Sequence, residues 1–173
     1  MAYSAPVPGR PAGSRRLRYF LLAVATVLAL VAGLLGASTG QARAASTLLS
    51  QGQPTTASSQ ESAAYPAAGA TDGNTGTRWS SAFSDPQWLE VDLGSSQSIC
   101  QVVLNWEAAY ATAFQIQTSA SGSTWTTVYS TTSGTGGTQT LNVTGTGRYL
   151  RVYGTARATQ YGDSLWELGV HTD

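Results

Sequence analysis

Residues 69–81, "GATDGNTGTRWSS", bring several oxygen-bearing side chains together in a stretch that is too rich in glycine to form a helix. Asp72 and Asn74 are two residues apart, and Thr77 follows at a spacing that lets the chain curl oxygen atoms around one point. Such atoms suit a hard cation or a polar ligand. The stretch is not an EF-hand loop, because the twelfth position counted from Asp72 is Phe83 and not glutamate. An Asp-Gly-Asn sequence taken alone is more often a structural turn, so both interpretations stay open.

Arg78 and Trp79 follow this turn and are predicted to point to opposite sides of the chain. Trp79 is expected to pack into the core beneath the turn, which leaves Arg78 toward solvent. A guanidinium presents a fixed fork of donors that suits paired sugar hydroxyls or a carboxylate. A solvated arginine without a ligand is the alternative interpretation.

Groups that could perform catalysis are poorly placed in this sequence. Glu90 and Asp92 fall on one face of a predicted strand, and no cleft is implied around them. His171 is the only histidine, and its position two residues from the last residue predicts a frayed segment. Cys100 falls within an apolar strand and is interpreted as a small apolar residue. The sequence therefore predicts a protein that is not an enzyme.

The elements that must position these residues are short β-type segments separated by clusters of Gly, Ser, Thr, Asn and Asp. In "QWLEVDLG", Leu89, Val91 and Leu93 alternate with their neighbours, as a strand with one buried face requires. "SICQVVLNWE" is more apolar than this segment and predicts a strand buried on both sides. Residues 130–147 are nearly low-complexity, which predicts a long hairpin loop containing one strand, with a disordered linker as the alternative. The pattern predicts an all-β sandwich.

Further strands are predicted in five segments that each end at a turn signal: "AFQIQTSAS", "TWTTVYS", "TQTLNV", "RYLRVYG" and "SLWELGVH". Trp88 and Trp125 fall in predicted strands and are expected to be structural. Their mutation is therefore expected to damage folding.

The first part of the chain has the features of an export signal. Four arginines between residues 10 and 18 precede an apolar run over residues 19–35, and residues 42–44, "ARA", offer a small-x-small cleavage pattern. We expect a cleaved secretory signal peptide at residues 1–44 and a single domain at residues 45–173. An uncleaved membrane anchor is the alternative.

The charge of residues 45–173 limits the partners of this domain. The segment carries all nine acidic residues and four arginines, with no lysine, for a formal charge of −5. Nucleic acid and anionic lipid are therefore unfavourable partners. Cys100 is the only cysteine, so no intrachain disulfide can hold the loops.

The order of the segments is similar to that of a known family. The chain resembles the discoidin family, also called the coagulation factor 5/8 C-terminal type, whose bacterial members include the family 32 carbohydrate-binding modules. The resemblance covers about residues 47–172 and rests on segments in this order: "ATDGNTGTRWSS", "QWLEVDLG", "SICQVVLNW", "FQIQTSASGSTWTTVY", "RYLRVY" and "YGDSLWELGV". It implies a jelly-roll β-sandwich of the galactose-binding-domain-like type.

The resemblance also implies a structural Ca²⁺ site. In this sequence the predicted ligands are the carboxylates of Asp72 and Glu167, the carbonyl oxygens of Gly69 and Asn74, and the carbonyl and hydroxyl oxygens of Thr77. Such a site would tie the start of the domain to its end, which would replace a disulfide.

The family's ligand loops imply a second set of residues at one end of the sandwich. Glu61 falls in the first long loop, Arg78 and Phe83 follow the calcium turn, and Tyr161 precedes the last strand. Tyr65, Trp106 and Tyr110 are weaker candidates, because an aromatic at a strand end can belong to the core; the sequence leaves the choice among them open.

The function implied is that of a secreted, monomeric, non-catalytic carbohydrate-binding module. Relatives bind β-glucan, chitosan, galactosides or N-acetyl sugars. Glu61 and Asp163 favour an amine-bearing sugar, because a carboxylate pairs with an ammonium group. The alternatives are an adhesion module that binds a cell-surface protein or lipid, and an accessory fragment of a secreted glycoside hydrolase.

Overall fold

The computed structural model describes Met1 and residues 46–173, so the predicted signal peptide lies outside the described residues except for its first methionine. No helix in this part of the chain is long and apolar enough to span a membrane. The described chain consists mainly of strands: β1 (Thr47–Leu48), β2 (Thr55–Ala57), a 3-10 helix (Ala67–Ala70), β3 (Trp79–Ser80), β4 (Gln87–Trp106), β5 (Ala111–Ser119), β6 (Thr126–Thr131), β7 (Thr138–Arg157) and β8 (Ser164–Thr172).

Two strands of 20 residues each, β4 and β7, form the centre of the structure. All pairs are antiparallel, in the order β1-β8-β4-β7-β5-β6, with β2 against β4 and β3 against β8. Residues 87–92 pair with 149–154, whereas residues 97–105 pair with 138–147. Gly94, whose φ of 80° suits a residue without a side chain, lies at the register shift between these two ladders.

The two ladders enclose one apolar core. Leu89 and Val91 are fully buried in the first half of β4, and Val102 and Leu104 are fully buried in its second half. All four belong to a single cluster, which also contains Phe114, Ile116, Leu150, Val152, Leu168 and Val170. One cluster can include both halves only if the long strands fold the sheet over on itself. The prediction of an all-β jelly-roll sandwich is confirmed.

The second half of β4 is buried on one face only. Ile99, Val102 and Leu104 are buried, whereas Cys100 and Val103 are half-buried on the opposite face. The expectation of a strand buried on both sides is therefore wrong. In a sandwich each sheet has a core face and an outer face, and apolar composition alone does not show that the outer face is covered.

The predicted loop at residues 130–147 is mostly strand. The connection after β6 ends at Thr138, where β7 begins, and Leu141 and Val143 are buried in alternation with exposed polar residues. The strand predicted within this stretch is confirmed as the start of β7, but the long loop around it and the disordered linker are both wrong. Threonine-rich segments also suit the solvent face of a strand. His171 is likewise not frayed, since β8 pairs it with Leu48 and with a residue of β4.

Hydrogen bonds join the start of the described chain to its last strand. The Ser50 hydroxyl donates to the Leu168 carbonyl at 2.8 Å and accepts the Val170 N–H at 3.0 Å. The Leu49 N–H donates to the Val170 carbonyl at 2.7 Å. These buried bonds hold the chain start in the absence of a disulfide.

The tryptophans divide into core and outer residues. Trp79 and Trp106 are 1% and 4% exposed and belong to the core cluster. Trp88 and Trp125 are half-buried and lie outside that cluster, which corrects the expectation that they are structural.

We predict that Trp79→Ala will lower the free energy of unfolding by about 3–5 kcal/mol, because it leaves a cavity in the core. Trp88→Ala should lower it by less than about 1 kcal/mol, because this side chain lies on the outer face. Urea denaturation monitored by circular dichroism measures both. Equal losses in the two variants would show that the division into core and outer tryptophans is incorrect.

Candidate functional site

Three of the four predicted ligand residues line one cleft at an end of the sandwich. Glu61, Arg78 and Tyr161 border a cavity of about 350 Å³, here named the loop-end cleft. The remaining lining comes from β3, from the loop after β4 and from the loop before β8: Ser80, Glu107, Ala108, Ala109 and Thr159. The cleft is therefore built from segments that are far apart in the sequence.

Ser164, at the start of β8, holds these segments together. Its backbone pairs with Ser80 of β3, and its N–H donates to the Ala109 carbonyl at 2.8 Å. Its carbonyl accepts the Glu107 N–H at 3.0 Å, and its hydroxyl donates to the Trp79 carbonyl at 2.8 Å. Because Ser164 is fully buried, these bonds form a fixed base for the cleft.

Arg78 is held at the wall of the cleft. Its guanidinium carbon lies 3.8 Å from the centre of the Tyr65 ring and 5.8 Å from that of Trp166, and its Nη1 donates to the Ser164 hydroxyl at 2.7 Å. The side chain is half-buried, which differs from the solvent-directed arginine that the sequence predicted. No described residue accepts a hydrogen bond from its Nε or Nη2 atom, so these donors remain available to a ligand.

Two carboxylates line the same cleft. Glu61 is exposed, and its backbone N–H donates to the Ser80 carbonyl at 2.7 Å. The Glu107 carboxylate accepts the Ala109 N–H at 2.8 Å, which fixes it in the rim. Sequence analysis missed Glu107; the available signal was an acidic residue placed directly after a strand that ends in a core tryptophan.

The two exposed aromatic residues predicted as ligand contacts, Phe83 and Tyr161, pack against each other. Tyr161 and Phe83 are 53% and 49% exposed, and their rings meet edge to face, with centres 5.6 Å apart and an angle of 83° between the planes. Phe83 does not line the cleft, so the structure places it behind Tyr161. An exposed aromatic ring at a cleft rim can stack on the apolar face of a sugar ring. The weaker candidates differ from this arrangement: Trp106 is a core residue and Tyr110 packs against the core.

The loop that carries Tyr161 is held by an arginine. Arg157 donates from Nε to the Asp85 carboxylate at 3.1 Å and from Nη1 to the carbonyls of Gln160 and Tyr161 at 3.2 and 3.3 Å. Gly162 lies so close to the backbone of Ser81 that a side chain would collide with it. These contacts restrict the orientation of the loop.

Asp163 does not take part in the cleft. Its side chain is 1% exposed, and its Oδ1 atom has no hydrogen-bond partner among the described residues. The sequence-based pairing of Asp163 with Glu61 as joint partners for an amine is therefore wrong. The physical reason is burial beside Gly154, whose missing side chain leaves room for the carboxyl group.

The turn predicted to hold calcium forms one hydrogen-bonded unit. The Asp72 carboxylate accepts hydrogen bonds from the Asn74 N–H at 2.8 Å and from the Thr77 hydroxyl at 2.7 Å. That hydroxyl also lies 2.8 Å from the Asn74 carbonyl oxygen. Gly69 is buried against the peptide of Arg78, where a Cβ atom would come within 2.8 Å of the carbonyl oxygen. The oxygen atoms of three predicted ligands therefore lie close together.

Glu167 lies beside this turn and has a desolvated carboxylate. Burial, followed by the negative charge of Asp72, raises its pKa, while a hydrogen bond from the Gly73 N–H opposes the rise. Its Oε1 atom is buried without a hydrogen-bond partner among residues 46–173. In this part of the chain no group of three or more His, Cys, Asp or Glu side chains could hold a metal. Two carboxylates with backbone and hydroxyl oxygens nevertheless fit the donor set of Ca²⁺.

A β-bulge places two side chains of β8 on the same outer face. Asn105 pairs with Glu167, but the next residue, Trp106, pairs with Leu165, so Trp166 is the extra residue. The bulge lets Trp166 approach Arg78 while Glu167 lies beside Asp72 and Gly73. A regular strand would place one of these two side chains in the core.

The chain is similar to known proteins along most of the described domain. Residues 69–152 match the F5/8 type C family described as a NedA-like, galactose-binding domain. Chitosan-binding module 1 of the chitosanase/glucanase from Paenibacillus sp. IK-5 is 50% identical, with a TM-score of 0.71, over 73% of this chain and 99% of that chain. Chitosan-binding module 2 of the same enzyme, solved with chitotriose, is 50% identical, with a TM-score of 0.69, over 72% and 99%.

Two further matches cover proteins that are less similar to this chain or are matched over a shorter length. A family 32 carbohydrate-binding module of Clostridium perfringens NanJ, solved with galactose, is 22% identical, with a TM-score of 0.65, over 74% of this chain and 100% of that chain. At this identity the match shows the shared fold alone. The polysaccharide lyase 8 family protein HylA of Enterococcus faecalis is 37% identical over 71 residues, which are 41% of this chain and 5% of the lyase. The chain therefore matches a small fraction of that enzyme's length.

Asp163 should make the domain less stable as the pH rises toward neutrality. Burial, then the charge of Asp85, raises the pKa of its carboxyl to about 7, against the effect of Arg157. The folded state keeps a proton that the unfolded state loses above about pH 4, so the free energy of unfolding falls between about pH 4 and pH 7. Asp163→Asn should remove this fall, which amounts to up to about 4 kcal/mol.

Urea denaturation at one-unit steps from pH 4 to pH 8 measures the effect. Asp173→Asn, at an exposed carboxylate, is the control and should follow the parent protein. Parallel stability curves for the parent and Asp163→Asn would contradict the assignment.

Proposed function

Because the chain belongs to the coagulation factor 5/8 type C (discoidin) family, we propose that it is a non-catalytic carbohydrate-binding module that holds chitosan in the loop-end cleft. The observation that carries this proposal is the meeting of Glu61, Glu107, Arg78 and Tyr161 around one cavity. Chitosan is a chain of β-1,4-linked glucosamine units, so each unit offers an ammonium group, hydroxyl groups and an apolar ring face.

Each of these groups has a matching partner in the cleft. The carboxylates of Glu61 and Glu107 accept charge-assisted hydrogen bonds from ammonium groups. The unengaged donors of Arg78 bind hydroxyl oxygens, and the Tyr161 ring stacks on a sugar face. The formal charge of −5 over residues 45–173 attracts a polycation from a distance.

Sequence identity to the relatives supports chitosan, which carries amino groups, over the other glycans as the ligand. Both modules named as chitosan-binding are 50% identical to this chain, and the matches cover 99% of their lengths. The module solved with galactose is 22% identical, which supports the fold and not the ligand. The exposed pair of Phe83 and Tyr161 is small and lies beside carboxylates, which does not favour an anionic lipid surface.

The proposed setting is extracellular. The arginines at residues 10–18, the apolar run of residues 19–35 and the cleavage pattern at residues 42–44 would together direct export. Outside the cell the domain would bind polysaccharide as a monomer, alone or beside secreted hydrolases.

We also propose a structural calcium ion between the turn and β8. Asp72 and Glu167 would supply carboxylates, Gly69 and Asn74 carbonyl oxygens, and Thr77 both kinds of neutral oxygen. The positive charge of the calcium ion would offset the repulsion between the carboxylates of Asp72 and Glu167. The ion would also give the buried Oε1 atom of Glu167 a ligand partner. Thr77 is followed by Arg78, which lines the cleft. The ion would therefore help to fix the position of Arg78 without contacting the sugar.

Calcium should raise the melting temperature of the protein, because an ion that binds only the folded state stabilises it by roughly 2.7 kcal/mol at a hundredfold excess over its dissociation constant. Asp72→Ala and Glu167→Gln should both remove this rise. Scanning fluorimetry in calcium and in chelator measures it, with Asp173→Asn as the control. Equal melting temperatures of the parent in calcium and in chelator would exclude the site.

Loss of either carboxylate should weaken chitosan binding. Glu61→Gln and Glu107→Gln keep the shape of the side chain, and the new amide oxygen at position 107 can still accept the Ala109 N–H. Each should reduce affinity for chitotriose about tenfold, which corresponds to about 1.4 kcal/mol, without changing the melting temperature. Tyr161→Ala should reduce it similarly through the loss of stacking.

Isothermal titration calorimetry with chitotriose and with its N-acetylated counterpart is the matched measurement. Acetylation removes the ammonium charge, so the parent should prefer chitotriose, and each Gln variant, which keeps one carboxylate, should show a smaller preference. A parent protein that binds both oligosaccharides equally would contradict recognition of the amine.

A further inference from the structure

The outer face of the sheet formed by β4, β7 and β5 carries aromatic and charged side chains that the core does not use. Trp88 pairs with Tyr153, Glu90 with Arg151, and Asp92 with Tyr149, and their side chains are half-buried on the face opposite Leu89 and Val91. Trp125, from the loop before β6, also lies on this face, over Arg151. The outer aromatic face is defined here as Trp88, Glu90, Trp125, Tyr149, Arg151 and Tyr153.

Arg151 lies between two of these rings. Its guanidinium carbon is 4.2 Å from the centre of the Trp125 ring and 5.0 Å from that of Tyr153. Its Nε donates to the Gln117 side-chain oxygen at 2.6 Å, and among the described residues its two terminal nitrogens donate no hydrogen bond. The arginine therefore holds the rings in place and presents donors between them.

Glu90 lies across from Arg151 and has no hydrogen-bond partner within residues 46–173 for its carboxylate. Burial raises its pKa, against the effect of the Arg151 charge. Asp92 differs, because the Arg148 guanidinium binds it with two hydrogen bonds of 2.7 Å. Glu90 is therefore the carboxylate of this face that lacks a donor, and partly desolvated carboxylates bind cationic donors strongly.

The outer aromatic face begins at the end of the sandwich that carries the loop-end cleft. Trp88 follows Phe83 by five residues, at the start of β4, and its partner Tyr153 precedes Arg157 by four residues in β7. Arg157 in turn holds the loop of Tyr161. The two surfaces are thus joined through short stretches of chain.

We propose that the outer aromatic face is a second carbohydrate-binding surface, which takes a neighbouring stretch of the cationic polysaccharide held by the loop-end cleft. This inference rests on the proposed function of the cleft. The rings of Trp88, Trp125 and Tyr153, which are half-buried, stack on sugar rings through their exposed parts. Arg151 donates to hydroxyl groups, and Glu90 accepts an ammonium group. The Glu90 carboxylate, which lacks a donor, and the net negative charge of the domain favour a cationic chain over an anionic one.

The test compares a short oligosaccharide with the polymer. Chitotriose fills the cleft alone, whereas a long chain reaches both surfaces and gains from their linkage. In the protein with Trp88→Ala and Trp125→Ala, we expect affinity for soluble chitosan polymer to fall at least tenfold while affinity for chitotriose stays unchanged. Glu90→Gln, which preserves shape, should reduce polymer affinity several-fold, and Trp125→Phe should keep most of it.

A second variant set separates this inference from the function of the cleft. In Arg78→Ala with Tyr161→Ala, chitotriose binding should be lost, but weak polymer binding should persist and should disappear when Trp125→Ala is added. Melting temperatures identify variants that fail to fold, and Glu90→Gln and Trp125→Phe then carry the test.

Unchanged polymer affinity in the folded face variants overturns the second surface and leaves the cleft intact. A parent protein that binds neither chitotriose nor polymer overturns the proposed function itself. If a neutral β-glucan bound as tightly as chitosan polymer, and this binding also depended on Trp125, the proposal that the ligand of this face is a cationic chain would be overturned. Loss of self-association in the face variants, measured by sedimentation, would show instead that the occupant is a second copy of the chain.

Discussion

The pairing of the last strand with its neighbours is the interaction on which the other parts of this domain depend. Strand β8 pairs with β1, β3 and β4, and so joins the start of the described chain, the strand that follows the Asp72–Thr77 turn and the centre of the sheet. Ser50 and Ser164 add buried side-chain hydrogen bonds to these ladders. Because the chain has a single cysteine, distant segments are connected by backbone and hydroxyl hydrogen bonds and not by the disulfides that stabilise many exported domains.

A rigid strand also explains how a small domain can orient a polar cleft. The bulge at Trp166 reverses the alternation of β8, so that Leu165 and Leu168 both remain in the core while the residues between them face outward. Arg78 is thereby fixed between aromatic rings and the Ser164 hydroxyl before any ligand arrives. Groups held in this way lose little conformational entropy on binding, which favours affinity from few contacts.

The sequence predicted the features that follow from local pattern and missed those that depend on distant segments. The alternation of Leu89, Val91 and Leu93 requires only the two-residue period of a strand, and the burial of Trp79 follows from its place after a turn. Asp163 was interpreted as exposed, because nothing local reveals that Gly154, on another strand, makes room for its carboxyl group. Glu107 was missed for the same reason, since its position in the cleft depends on Ser164.

The pairing of β1 with β8 has a consequence for how the domain can be attached. Thr47 lies opposite Thr172, at the end of β8 remote from Ser164 and therefore from the cleft. A tether at either position is therefore attached at the end of β8 opposite to the end that forms the base of the cleft. The closeness of these two positions also makes the fold a natural candidate for circular permutation, since a short peptide could join them while a loop elsewhere is opened.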